Sequence, residues 1–98
     1  MRYDFEWNPQ KAKSNFHKHD VSFEEAATVF KDPNALSIFD DEHSINEERW
    51  ITLGISASGK LLVTCHTFQG INSKTCVIRI FSSRKATKKE SKQYEVII

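Results

Sequence analysis

Three stretches of alternating apolar residues, joined by links too short for a crossover, constrain this chain more than anything else in it. Residues 48–56 set Ile51, Leu53 and Ile55 on one side of an extended segment, and residues 61–68 and 75–82 read as two further strands. Ala57-Ser58-Gly59-Lys60 is a tight hairpin connection between the first two, and residues 69–74 link the second to the third. A parallel connection needs a dozen or more residues, so the three strands are expected to run antiparallel as neighbours.

The flanks supply the layers that such a sheet needs. Tyr3-Asp4-Phe5-Glu6-Trp7 alternates aromatic and acidic residues, the pattern of a short edge or early strand. Asn8-Pro9 reads as an N-cap and first helical position, and predicts a helix over residues 9–19. Ala12, Phe16 and His19 would form its inner stripe, with Lys11, Lys13 and Lys18 mostly outside. Ser22-Phe23-Glu24-Glu25 is a capping box that opens a second helix over residues 23–31, with Phe23, Ala26, Ala27 and Phe30 inward and Asp32-Pro33-Asn34 as its stop. A short strand over residues 35–39 and a polar loop follow. Thr87-Lys88-Lys89-Glu90 is a second capping box, starting a final helix with Glu90, Tyr94 and Ile97 along one side. The order predicts one α+β domain over residues 1–98: an antiparallel sheet, two N-terminal helices and a C-terminal helix. With 39% hydrophobic residues and seven Phe, the chain can bury one modest core.

Several function classes lose support. The N-terminus lacks the apolar run of a secretory signal, and no stretch approaches the ~18 apolar residues of a membrane span, so a cytoplasmic protein without membrane contact is expected. Cys65 and Cys76 are not in metal-binding or disulfide-framework spacing. His17 and His19, two apart on a helix, point in different directions and cannot both grip a metal. No cofactor is expected, because no P-loop, GxGxxG, HExxH or GxSxG pattern occurs.

The charge distribution is more informative than the net +1. Residues 1–49 carry 6 basic and 11 acidic side chains, whereas residues 50–98 carry 8 basic and 2 acidic ones. Such a chain can hold a polyanion on its basic part and offer the acidic part to a different partner. The densest cationic run is Arg84, Lys85, Lys88, Lys89 and Lys92, with Arg79 earlier in the same region. It is either a solvated helix face or a phosphate site in which Arg84 and Lys85 converge with a helix N-terminus on one anion. His66 and Arg79, on neighbouring strands, are either a satisfied core histidine beside a surface arginine or a catalytic pair. Arg49, in Glu47-Glu48-Arg49-Trp50, is either part of a surface ion pair or a further nucleic-acid contact. Metal-free RNA cleavage needs a base for the 2′-hydroxyl, cations for the phosphorane and an acid for the leaving oxygen, a set His, Arg and Lys can supply.

Phe5-Glu6-Trp7-Asn8, Lys11, Asn15, Lys18-His19, Val21-Ser22-Phe23-Glu24-Glu25-Ala26, Glu48-Arg49-Trp50, Gly54, His66-Thr67, Arg79-Ile80 and Ser82-x-Arg84-Lys85-Ala86-Thr87 with Glu90 together resemble the BrnT family of bacterial toxins over nearly the whole chain. Asp20 stands where the family usually has Gly, and Ser83 where it usually has Ala; Asp tolerates a left-handed helix end better than most residues. The resemblance implies a RelE-like fold, endoribonuclease activity that arrests translation, and a cognate BrnA-like antitoxin through which DNA is contacted. Carried over by position, it makes Arg84 and Lys85 the first choice for phosphate contacts, with His66, Arg79 and Arg49 weaker matches. Arg84, His66 and Arg79 are the catalytic candidates, with His66 the first choice for the general base and Tyr94 a lesser one; Glu90 and Tyr94 are supporting residues. A catalytically inactive RelE-like module that binds RNA or antitoxin without cleavage is the alternative.

Overall fold

Each α-helix starts where a side chain replaces a missing backbone partner. In the computed structural model, which describes residues 1–97 and the side chains of 1–96, Asn8 Oδ1 accepts from the Gln10 and Lys11 amides at 2.8 and 3.3 Å and opens α1 (Pro9–His19). The helix ends at Asp20, which adopts the left-handed conformation at φ 57°. Ser22 caps α2 (Phe23–Ala27) through the Glu25 amide at 3.0 Å. The box is not reciprocal, because the Glu25 carboxylate turns instead to the hydroxyls of Ser56 and Ser58 across the β3–β4 hairpin. α2 is also shorter than expected: from Thr28 to Lys31 the backbone tightens to a 3-10 turn, and the Thr28 hydroxyl bonds back to the Glu25 carbonyl at 2.6 Å.

The strands are β1 (Arg2–Glu6), β2 (Leu36–Phe39), β3 (Arg49–Ile55), β4 (Leu61–Thr67), the two-residue β5 (Gln69–Gly70) and β6 (Thr75–Lys85), followed by α3 (Lys88–Ile97). Their order is β1-β6-β4-β3-β2, with β5 also on β6. β3, β4 and β6 are antiparallel neighbours, but β1 pairs with β6 in parallel, Phe5 opposite Ile78. The sheet is therefore mixed rather than antiparallel throughout. About seventy residues separate β1 from β6, and that is ample for the crossover which the short links of the other strands forbid.

One face of the sheet packs against α1, α2 and the 3-10 turn, burying Val21, Phe23, Ala26, Val29, Leu62, Ile78 and Ile80. Gly54 lets the turn lie close: an added Cβ would stand 3.1 Å from Ala35 Cβ and 3.3 Å from Val29 Cβ. α1 does not use the stripe its apolar residues suggest. Phe16 is 52% exposed, Ala12 and His19 are half-buried, and the fully enclosed residue is Asn15. Its amide donates to Val21 O and Ser83 O at 3.0 and 2.8 Å and accepts from the Ser83 amide at 3.1 Å, tying α1 to β6. α3 covers only part of the opposite face, over Leu53 and Val63, with Tyr94 buried between them. The expected place of Ile97 on the same side lies outside the described side chains. No helix among the described residues is long and apolar enough to cross a membrane.

Candidate nucleic-acid interface

A β-bulge decides which cations share a surface. Alternation along β6 puts Ile78 and Ile80 on the face under α1 and α2, and Val77 and Arg79 on the other. Between Cys65 and His66 the pairing shifts, so that His66 lies opposite Ile80 while Cys65 lies opposite Ser82, leaving Phe81 as the extra residue. Beyond it the parity reverses: Ser83 is buried beside Thr64, and Arg84, opposite Val63, points to the α3 face. Arg79 and Arg84 thus come to one side of the sheet, although a strict two-residue period would separate them. Arg49, which alternates with Ile51 and Leu53 on β3, belongs to the same side and lies over the Phe81 ring at 4.2 Å from its centroid.

The part of this face not covered by α3 holds two adjoining clefts that share Glu6 and Arg79. One, of about 440 Å³, is bordered by Glu47, Glu48, Thr67 and Gln69; the other, of about 320 Å³, by Trp7, Asn8, Lys11 and Phe81. Glu6 meets Arg79 at 3.2 Å in a largely open pair, and Glu47 meets the half-buried Arg49 at 3.5 Å. Arg49 Nε is buried without a hydrogen-bond partner. Exposed cations beside carboxylates and hydroxyls can grip a phosphodiester and exchange protons with its neighbours. Glu6, Lys11 and Thr67 stand among the residues that carry the family resemblance, but nothing in the sequence marks them as site residues.

Two expected groupings are not formed, and one expected role is not open to its residue. His66 does not meet Arg79: it is fully buried on the other face, where Nε2 lies 2.6 Å from Thr52 Oγ1, Nδ1 3.0 Å from Thr67 O, and the rings of Phe30 and Phe68 stand edge-on at 4.8 and 4.6 Å. Burial lowers its pKa to about 4, against a smaller opposing pull from the Thr67 carbonyl. It is a neutral core histidine near pH 7. Arg84 and Lys85 do not converge on one anion, because consecutive strand residues point to opposite faces; Lys85, opposite Leu62, acts on Glu25. Tyr94 is no base, since its hydroxyl donates to Asp32 Oδ2 at 2.6 Å in the core and burial pushes its pKa up to about 12.

Arg84 itself is already engaged. Its two terminal nitrogens hold both oxygens of Glu90 at 2.8 and 2.9 Å. Glu90 also accepts from the Thr87 amide at 2.8 Å, and its own amide donates to Thr87 Oγ1 at 3.2 Å, a complete capping box at the start of α3. The Arg84 bonds hold the Glu90 carboxyl down to about 2. Lys88, Lys89 and Lys92 are exposed along α3.

The molecule is a small α+β domain with a mixed sheet, one face of which carries Arg49, Arg79 and Arg84. A family profile described as "Ribonuclease toxin, BrnT, of type II toxin-antitoxin system" matches residues 7–90. The chain belongs to the BrnT family of ribonuclease toxins. The crystal structure of the Brucella abortus ribonuclease toxin BrnT is similar to it with a TM-score of 0.59 and 16% sequence identity, covering 90% of this chain and 100% of that one, a likeness of fold. A search of curated proteins gave no match. Membership of a type II system implies an RNA target and a protein antitoxin.

Proposed function

We propose that this chain is a cytoplasmic, metal-independent endoribonuclease with a RelE-like fold, which arrests translation by cleaving RNA and is neutralised by a BrnA-like antitoxin that makes the contact with DNA. The observation that carries this reading is that Arg49, Arg79 and Arg84 lie on one sheet face and that Arg79 lines both clefts together with carboxylates and Lys11. A phosphodiester lying along β6 would meet Arg79 and Arg49 first, with Arg84 further along the same row. In the reaction the 2′-hydroxyl oxygen attacks phosphorus, a new P–O2′ bond forms and the P–O5′ bond breaks. The 2′ proton passes to a carboxylate of the cleft, Glu6 by its contact with Arg79, and Lys11 supplies a proton to the departing O5′. Arg79 and Arg49 neutralise charge that grows on the phosphoryl oxygens, an effect worth most where water is partly excluded. Lys88, Lys89 and Lys92 add a salt-sensitive attraction for the RNA backbone. Lys85, on the other face, has no part in it, and His66 keeps its core role.

The test is growth arrest on induction of the chain alone. Arg79→Ala, a change at an exposed side chain, is expected to abolish arrest while circular dichroism stays native and cleavage falls about 100-fold. A folded Arg79→Ala protein as toxic as the wild type would remove Arg79 from the reaction.

A further inference from the structure

The two edges of the sheet differ in a way the RNA site does not explain. β1, at one edge, carries Arg2, Asp4 and Glu6 at alternate positions, and charges on an edge discourage another strand from adding to it. β2, at the other edge, reads Leu36-Ser37-Ile38-Phe39 without a charge. The Asp40 amide donates to Arg49 O at 2.8 Å. By the alternation of an antiparallel ladder, Ile38 and Leu36 then bond to β3, while the amides and carbonyls of Ser37 and Phe39 point outward. Among the described residues no strand meets them. Ile38 is 62% and Phe39 42% exposed, one on each face, and Ile38 borders an apolar groove of about 120 Å³ with Leu36, Ile51 and Gln93 of α3.

Charge around this edge selects what can cover it. Between Lys31 and Arg49 the chain carries six carboxylates, Asp32, Asp40, Asp41, Glu42, Glu47 and Glu48, and no lysine or arginine. A second copy pairing antiparallel through β2 would bring its own acidic loop against Asp32 of the first, and like charges across a strand pair destabilise it. A basic segment would gain at both ends.

We propose that β2 is the docking edge for the antitoxin: an extended segment of that protein, with apolar side chains alternating with lysine or arginine, adds as a further strand along Ser37–Phe39 and lays its cations on Asp40, Asp41 and Glu42. The inference rests on membership of a toxin–antitoxin family. Main-chain bonds to Ser37 and Phe39 give affinity, and the acidic loop gives the preference for a basic partner.

The experiment uses the protein encoded beside this chain, co-expressed and purified as the complex, and the free chain. Hydrogen exchange at the Ser37 and Phe39 amides is expected to slow in the complex. Ile38→Lys, and separately Asp41→Lys with Glu42→Lys, are expected to weaken binding by about 30-fold, the scale of losing an interface hot spot, and to leave growth arrest by the free toxin intact. The loop variant lies on exposed residues, so the test survives if Ile38→Lys folds poorly. Unchanged exchange at Ser37 and Phe39, or wild-type affinity in the loop variant, overturns the proposal. A free chain that is dimeric and becomes monomeric on Ile38→Lys also overturns it, by giving the edge to a second copy. A wild-type chain that never arrests growth sinks the ribonuclease reading instead, and the exchange result stands apart from it.

Discussion

Asn15 and His66 carry polar chemistry in the core, and each has a measurable consequence. Asn15 satisfies the Ser83 amide, the Ser83 carbonyl and the Val21 carbonyl at once. Asn15→Ala strands all three, and is expected to cost about 3 kcal/mol in urea unfolding, since each buried unmet group costs about 1–3 kcal/mol with partial relief from water. A loss below about 0.5 kcal/mol would mean that α1 is held otherwise. His66 sets an acid limit. The unfolded chain takes up its proton near pH 6.5 and the folded chain only near 4, so between those values the unfolded state holds more protons. The stability that His66 contributes is present in full above pH 6.5 and drains as pH falls towards 4. Between pH 7 and 5 the wild type is expected to lose about 2 kcal/mol. His66→Gln should flatten that slope while lowering stability at pH 7; an unchanged slope in the variant assigns it to other groups.

The strand that carries the arginines depends on a feature no period reveals. β3, β4 and most of β6 follow from alternation and short links, and α1 from Asn8-Pro9 and the left-handed Asp20, which is why much of the architecture could be read from residue order. The bulge at Phe81 could not, because it arises from how β6 meets β4 and leaves no residue-level mark; without it Arg84 falls on the wrong side of the sheet. The parallel pairing of β1 is long-range, and periodicity carries no partner information. The pairing of Arg84 with Glu90 was equally hidden, although the Thr87–Glu90 box itself was legible. That pair fastens α3 to the end of β6, so Arg84→Ala is not a purely catalytic probe. Glu90→Gln, which keeps the shape and loses the charge, is expected to lower stability at pH 7 by about 1 kcal/mol, the modest figure reflecting a partly exposed pair. Because Arg84 holds the Glu90 carboxyl near 2, that contribution is complete above pH 4.5 and is lost as pH falls from there towards 2. Equal stability of Glu90→Gln and wild type at pH 7 would make the contact incidental.

The uneven charge of the chain becomes a spatial division in the fold. Cations of β3, β6 and α1 gather around the open part of one face, and Asp40, Asp41 and Glu42 follow directly on the uncharged edge strand β2. A toxin of a type II system has two encounters to manage, and under the proposals made above RNA and antitoxin meet different surfaces. The most direct measurement is the chemistry of the RNA ends left by the purified chain in buffer containing EDTA. Attack by the 2′-hydroxyl under arginine stabilisation predicts cleavage without metal, a 2′,3′-cyclic phosphate on one product and a 5′-hydroxyl on the other, all lost in a folded Arg49→Ala, Arg79→Ala protein. Cleavage that requires a divalent metal, leaves a 5′-phosphate, or survives loss of both arginines would contradict the account.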